Sequence, residues 1–429
     1  MYIERKRYLQ RLVDRLGNGQ IKVITGVRRC GKSFLVFRLF RNYLRERGVP
    51  DDHIIEVALD DDDNEGLRDV SNLSRYIKGQ IVNPEETYYI LLDEAQLAIS
   101  RDEMRNPNVQ VRLYGLLNSL LRKGNIDVYV TGSNSKMLSK DVATEFRGRG
   151  DVVEVHPLSF SEYYSHVGGD KVAALDSYLV FGGMPFTLSK NDTPAKREYL
   201  GSLFDEVYMR DITERYEIEK PSVLAELVED LCSSVGSLTN ANKICRTLKS
   251  VKGVSVDNET IAAYLDHLTE SFLFRCARRY DVRGKRYFEF PSKYYCEDVG
   301  LRNAWLGFRQ QEETHLMENV IYNELVARGY AVDVGVVEIS EKDSDGKTHR
   351  KKVEIDFVAT RAPDQIYVQS ALSMESPQKA AAELRPLLAV RDFFRKVVVS
   401  KTTMPLWVDE SGVIRMGIYD FLLDETLLP

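Results

Sequence analysis

Short apolar runs alternate with longer mixed segments over the first 155 residues. Ile21-Lys22-Val23-Ile24-Thr25, residues 53–59, Tyr88-Tyr89-Ile90-Leu91-Leu92, Ile126-Asp127-Val128-Tyr129-Val130 and Asp151-Val152-Val153-Glu154-Val155 have strand length. They are rich in β-branched and aromatic side chains, as strands are. Helical segments such as Phe34–Phe40 lie between them. Strand and helix in alternation predict a doubly wound parallel sheet, an α/β fold. The unbroken apolar run Tyr88–Leu92 suits a central strand covered on both faces.

The pattern changes after residue 160. Residues 161–230 are expected to be mainly helical, a lid or connector. Two amphipathic helices follow, Asn240–Ser250 and Asp257–Glu270, the second capped by Asp257 or Asn258. Ile261, Tyr264, Leu265 and Leu268 recur at helical spacing and should face a core. Strands Phe272–Tyr280 and Lys285–Phe290 then bracket the turn Asp281-Val282-Arg283-Gly284. Helix–turn–helix plus hairpin predicts a winged helix. Beyond it come a helix over His315–Arg328 and strands at 330–339, 352–360 and 365–371, with a charged turn at 343–346. The expected division is an α/β core at 1–160, a helical connector at 161–230, a winged helix at 231–310 and a second α/β domain at 311–429.

Candidate chemistry sits where the first strands end. Gly26-Val27-Arg28-Arg29-Cys30-Gly31-Lys32-Ser33 follows a strand and opens a helix at Phe34. In that context the G-x-x-x-x-G-K-[ST] spacing is a phosphate-binding loop. The glycines let backbone N–H groups wrap a phosphate. Lys32 is placed to reach the β- and γ-phosphates of ATP, and the Ser33 hydroxyl to ligate Mg²⁺. The helix N-terminus adds its positive dipole end. Asp93 and Glu94 close the run Tyr88–Leu92, the Walker B pattern. Asp93 is the expected Mg²⁺ partner, through water, and Glu94 the residue that polarises the attacking water. After Val130, Thr131-Gly132-Ser133-Asn134 offers a sensor of the γ-phosphate, Asn134 first and Ser133 second. Arg147 and Arg149 are candidate arginine fingers, acting across a subunit interface in a homo-oligomer.

The chain has 429 residues, 43% of them hydrophobic, and a net charge of −6. That is enough apolar material for several cores, and it excludes a general polyanion binder. Any nucleic-acid contact must therefore be local. The densest basic patch is the predicted hairpin, with Arg275, Arg278, Arg279, Arg283, Lys285 and Arg286 against the single acid Asp281 between 275 and 288. Tyr280, Tyr287 and Phe288 interleave. Arg278, Arg279, Arg283, Lys285 and Arg286 are the candidate DNA contacts, a phosphate-touching wing; the competing reading is a protein-binding module. Five widely spaced cysteines without a C-x-x-C pair argue for reduced thiols rather than zinc. Cys30, inside the loop, is expected to be an ordinary loop residue. No leader and no long apolar stretch is evident, so a cytoplasmic protein without a membrane contact is expected.

These motifs resemble a known group, the archaeal and bacterial AAA-type ATPases that carry a C-terminal conserved domain of unknown function. The resemblance rests on Gly26–Ser33, Asp93-Glu94-Ala95-Gln96, Thr131–Asn134, Val155-His156-Pro157-Leu158-Ser159-Phe160, Phe181-Gly182-Gly183-Met184-Pro185 and Lys293–Arg302, and covers nearly the whole chain. It also implies what the order of elements after 311 resembles, a PD-(D/E)xK nuclease fold. In that fold an early glutamate, a strand aspartate and an E-x-K tripeptide bind metal and activate water. Glu318 and Asp356 match; Gln369 stands where the second glutamate belongs and Ala371 where the lysine belongs. The resemblance therefore implies a degenerate nuclease site.

The leading expectation is a Mg²⁺-dependent ATPase whose C-terminal modules bind DNA or a protein partner. One alternative is a slow ATP-dependent switch acting on such a partner. Another is an ATP-gated, metal-dependent nuclease, against which the replaced Gln369 and Ala371 weigh.

Overall fold

A computed structural model describes residues 2–100, 102–103, 106, 109–132, 150–288, 291–342 and 348–427. The chain divides into two compact units, residues 1–156 with 270–272, and residues 157–269 with 273–429. Ser133, Asn134, Arg147, Arg149 and the turn at 343–346 lie outside the described residues.

The first unit is built on five strands: β1 (Ile21–Thr25), β2 (Ile54–Ala58), β3 (Tyr88–Asp93), β4 (Ile126–Thr131) and β5 (Gly150–Glu154). All neighbours are parallel, in the order β2-β3-β4-β1-β5. Every residue of β1 and β4 is buried, as central strands covered on both faces require. That burial includes Lys22, which sits at 0% exposure in an ion pair with Asp127. Gly17 N–H (3.0 Å) and the Tyr129 hydroxyl (2.9 Å) also donate to Asp127, so the buried carboxylate is fully engaged. Val23, Ile90, Leu92, Val128 and Val130 pack with Leu113 and Leu117 in the core of this unit. The helix after β1 starts at Lys32, passes through a π-helical stretch Leu35–Phe40 and continues as Arg41–Glu46.

The second unit starts with helices, among them Phe160–Val167, Lys171–Phe181, Thr193–Ser202 and Pro221–Ser233. Helices Ala241–Lys252 and Asn258–Glu270 follow, with Asn240 capping the first through Lys243 N–H and Asp257 accepting from Thr260 N–H at the second. Ile261, Tyr264, Leu265 and Leu268 are buried, as their spacing predicts. The remaining strands are β6 (Leu238–Thr239), β7 (Phe274–Ala277), β8 (Arg279–Asp281), β9 (Arg286–Tyr287), β10 (Ser292–Cys296), β11 (Ala331–Lys342), β12 (Thr348–Arg361), β13 (Asp364–Ala371), β14 (Arg395–Ser400), β15 (Trp407–Val408) and β16 (Ile414–Gly417). They form a three-stranded sheet, β6-β10-β7, and an eight-stranded mixed sheet, β15-β16-β14-β13-β12-β11-β8-β9.

The basic hairpin departs from expectation. β7 pairs with β10, and β9 (Arg286–Tyr287) pairs with β8 instead. At Arg278 the chain changes sheets, and β8 lies parallel to β11 with Arg279 opposite Val334. The hairpin β8–β9 is thus the edge of the eight-stranded sheet rather than a free wing. An unpaired strand edge gains ladder hydrogen bonds when it docks on a larger sheet. Sequence pattern cannot choose between two acceptor edges of similar apolar character.

The eight-stranded sheet is covered on both faces. Ile366, Val368, Val397 and Val399 face one core with Met317, Ile321 and Leu325 of helix Glu313–Ala327. Tyr367 and Val398 face the other with Leu387 of helix Pro377–Ala389. That alternation is the period of two expected of strands.

Candidate functional site

Gly26 leaves the end of β1 at φ 136°, and a Cβ there would stand 2.0 Å from the Val155 carbonyl oxygen. Only glycine fits. Gly31, at φ 101°, sets up the helix start at Lys32, and no side chain caps that end. First-turn N–H groups are thus left facing an incoming anion. Lys32 is buried, and its ammonium donates to the carbonyls of Gly26 (2.9 Å) and Val27 (3.0 Å). Two of the ammonium's three N–H bonds are thereby fixed to the loop. Ser33 is exposed at the start of the helix, and Arg28 and Arg29 lie at the crest of the loop. The Phe34 ring meets Tyr2 edge-on at 6.0 Å. Cys30 is buried and its thiol donates to the Val155 carbonyl (3.2 Å).

Asp93 is the last residue of β3 and is 3% exposed. Glu94 follows in a left-handed conformation, φ 48°. The Thr131 hydroxyl, at the end of β4, donates to Asp93 Oδ1 and accepts the Glu94 N–H (3.0 Å). Gln96 Nε2 donates to Glu94 Oε2. Because β4 lies between β3 and β1, Thr131 stands on the strand that separates Asp93 from the phosphate loop.

Arg5 is a contributor that the sequence did not reveal. Its side chain is almost fully buried and donates to the carbonyls of Cys30 (2.9 Å) and His156 (2.7 Å), with its guanidinium over the Tyr8 ring. It therefore braces the loop backbone against the chain that follows β5. Arg5 precedes the loop by too many residues for any spacing rule to connect them. Thr131 is the last residue of β4, the strand end after which the sequence offers Asn134 and Ser133.

In the second unit the candidate contacts separate. Arg278, Arg283, Lys285 and Arg286 are exposed, whereas Arg279 is mostly buried against Glu354 (3.3 Å). Arg278 stacks on Tyr287, and Arg283 donates to the Ala389 carbonyl. Glu318 and Asp356 do converge, from helix Glu313–Ala327 and β12. Between them lies Lys293 of β10, 3.0 Å from Glu318 and 3.7 Å from Asp356. Gln369 accepts the Asp356 N–H (3.3 Å) and donates to Glu383 (2.9 Å). Ala371, on β13, is buried in an apolar core.

The stretches Phe181–Pro185 and Lys293–Arg302 meet as one packed joint. Asp298 accepts the N–H groups of Gly183 (2.6 Å) and Leu301 (3.0 Å). A Cβ on Gly182, whose φ is 68°, would stand 2.1 Å from the same carboxylate. Asn303 donates to the carbonyls of Leu179 and Val180, both at 2.9 Å. Burial pushes Asp298 up to about 6. These residues hold backbone to backbone.

Comparison with known proteins finds two family matches along the chain. Residues 18–164 match the family described as "AAA domain", and residues 172–312 match "Domain of unknown function (DUF8612)". An uncharacterized protein of Haemophilus influenzae is 32% identical over 403 residues, 93% of each chain. An uncharacterized protein of Methanocaldococcus jannaschii is 26% identical over 355 residues, 79% of this chain and 72% of its own. Among solved structures, Cdc6p from Pyrobaculum aerophilum superposes over 74% of this chain and 94% of its own, at 12% identity and a TM-score of 0.31. So partial a superposition bears on neither partner nor process. Identity across almost the full length of the Haemophilus protein decides the family: this chain belongs with it, an AAA-type P-loop ATPase domain joined to a C-terminal domain of unknown function.

Proposed function

We propose that this protein is a Mg²⁺-dependent ATPase whose turnover drives its C-terminal modules. One observation carries the reading: the loop Gly26–Ser33 and the pair Asp93–Glu94 leave the C-terminal ends of strands in one parallel sheet, the edge where open α/β sheets take ligands. The donor set fits a magnesium nucleotide. Loop N–H groups and the Lys32 ammonium suit phosphate oxygens, while the Ser33 hydroxyl and Asp93 carboxylate suit a hard cation. Bound Mg²⁺ would neutralise charge on the β- and γ-phosphates.

The chain's own residues then have separate tasks. Lys32 offers its remaining N–H to the phosphates. Glu94, oriented by Gln96 and by the Thr131 contact to its N–H, polarises the attacking water. Asn134 or Ser133 would sense the γ-phosphate, and Arg147 or Arg149 would supply a finger from a neighbouring copy. Phosphate release under saturating MgATP tests the assignment. Lys32→Ala should abolish binding or turnover, and Glu94→Gln should bind ATP yet hydrolyse it poorly. Equal turnover in wild type and Glu94→Gln would sink the role given to Glu94. A wild-type rate far below one per minute would favour the switch instead.

For the partner, we infer that exposed Arg278, Arg283, Lys285 and Arg286 form a polyanion-contacting edge, with Arg279 serving Glu354. ATPase rates with and without DNA, at two salt concentrations, test this. Stimulation that fades with salt supports DNA; no stimulation points to a protein client.

A further inference from the structure

The centre formed by Glu318 and Asp356 has the two carboxylates of a metal nuclease but not its lysine in sequence. The missing charge returns in space. Lys293 comes from β10, in the other sheet of this unit, and its side chain is 8% exposed. Its ammonium lies within reach of both carboxylates. Further donors reach the same carboxylates. The Tyr295 hydroxyl donates to the same Glu318 oxygen as Lys293, at 2.7 Å. Ser370 N–H donates to Asp356 Oδ2 at 2.9 Å. A Cβ on Gly236 would touch Glu318 at 3.1 Å, so backbone packs directly against that carboxylate. Gln369 brings an amide where a third anionic ligand belongs, and that amide is itself bonded to Glu383.

A divalent cation needs around six oxygen ligands at about 2.0–2.6 Å. Here the carboxylate oxygens already accept from an ammonium, a phenol and an amide N–H. Among the described residues, no group of three or more His, Cys, Asp or Glu side chains is arranged to hold a metal ion. The residues present do not fit a catalytic metal. We propose that the Lys293 ammonium takes the place a metal ion would hold between Glu318 and Asp356, making this centre a metal-free joint in which one ammonium bridges carboxylates of helix Glu313–Ala327 and β12 from β10. Burial lowers the proton affinity of Lys293, but Glu318 and then Asp356 outweigh it and keep the ammonium charged. Removing one partner strands a buried charge, whereas removing both need not.

The test uses the full chain and Mn²⁺ alone, without nucleotide, read by electron paramagnetic resonance. Wild type and Asp356→Asn should bind Mn²⁺ identically. Lys293→Ala should gain a site at least tenfold tighter than any in wild type, and Lys293→Ala/Asp356→Asn should lose it. Wild-type Mn²⁺ binding that Asp356→Asn removes would overturn the proposal, as would Asp356-dependent cleavage of single-stranded, duplex or branched DNA. A folded Lys293→Ala that gains no site would overturn it too. Should Lys293→Ala not fold, melting temperatures of Lys293→Met and Lys293→Met/Glu318→Gln decide. The double variant should melt above the single one, and equal or lower melting would refute the pairing.

Discussion

Thr131→Val removes one oxygen and nothing else of consequence. Valine has the shape of threonine, so no cavity opens at this fully buried strand end. Two bonds go: the hydroxyl's donation to Asp93 and its acceptance of the Glu94 N–H. A hydrogen bond to a charged group contributes about 1.5–3 kcal/mol. If that much orientation is lost only in the transition state, turnover falls by about 10- to 150-fold, since about 1.4 kcal/mol is a factor of ten. ATP affinity should move little, because Lys32 and the loop backbone are untouched. The assay is phosphate release at saturating MgATP beside equilibrium binding of a fluorescent nucleotide. Thr131→Ser keeps the hydroxyl and should stay near wild type. Val and Ser variants with the same kcat would refute the idea that Thr131 sets the Walker B geometry.

Arg5→Met should weaken ATP binding about tenfold or more while Arg5→Lys recovers part of it, because two charge-assisted bonds brace the loop backbone. Isothermal titration would read this, and unchanged affinity in a folded Arg5→Met would exclude the brace. Asp298 predicts a pH dependence of stability. Its folded value of about 6 lies above the ordinary carboxylate range, so the native state binds more protons than the unfolded chain between about 4 and 6. Stability from this group is therefore full at the acid end and declines as pH rises through that window. Melting temperature against pH should show the decline, and Asp298→Asn should make it shallower; superimposable slopes would count against it. Gly182→Ala should destabilise the second unit strongly, seen as a lowered melting temperature, since its Cβ would collide with Asp298.

Sequence by itself determined the strands of the first unit and where its candidate motifs fall on them. Walker A is contiguous, Walker B sits at the end of an apolar run, and both are fixed by local rules of strand, turn and helix start. Periodicity also found the helix Asn258–Glu270 and its buried face. Tertiary structure decided the rest, because the deciding contacts join residues far apart in the chain. Arg5 meets the loop across a separation of 25 residues, and Thr131 meets Asp93 across 38. The hairpin after residue 278 could pair with either of two sheets, and only docking chose the larger. Counting along the chain from Gln369 finds Ala371 and no lysine. Which charge faces a buried carboxylate depends on what is near in space, and there Lys293 from β10 supplies the ammonium.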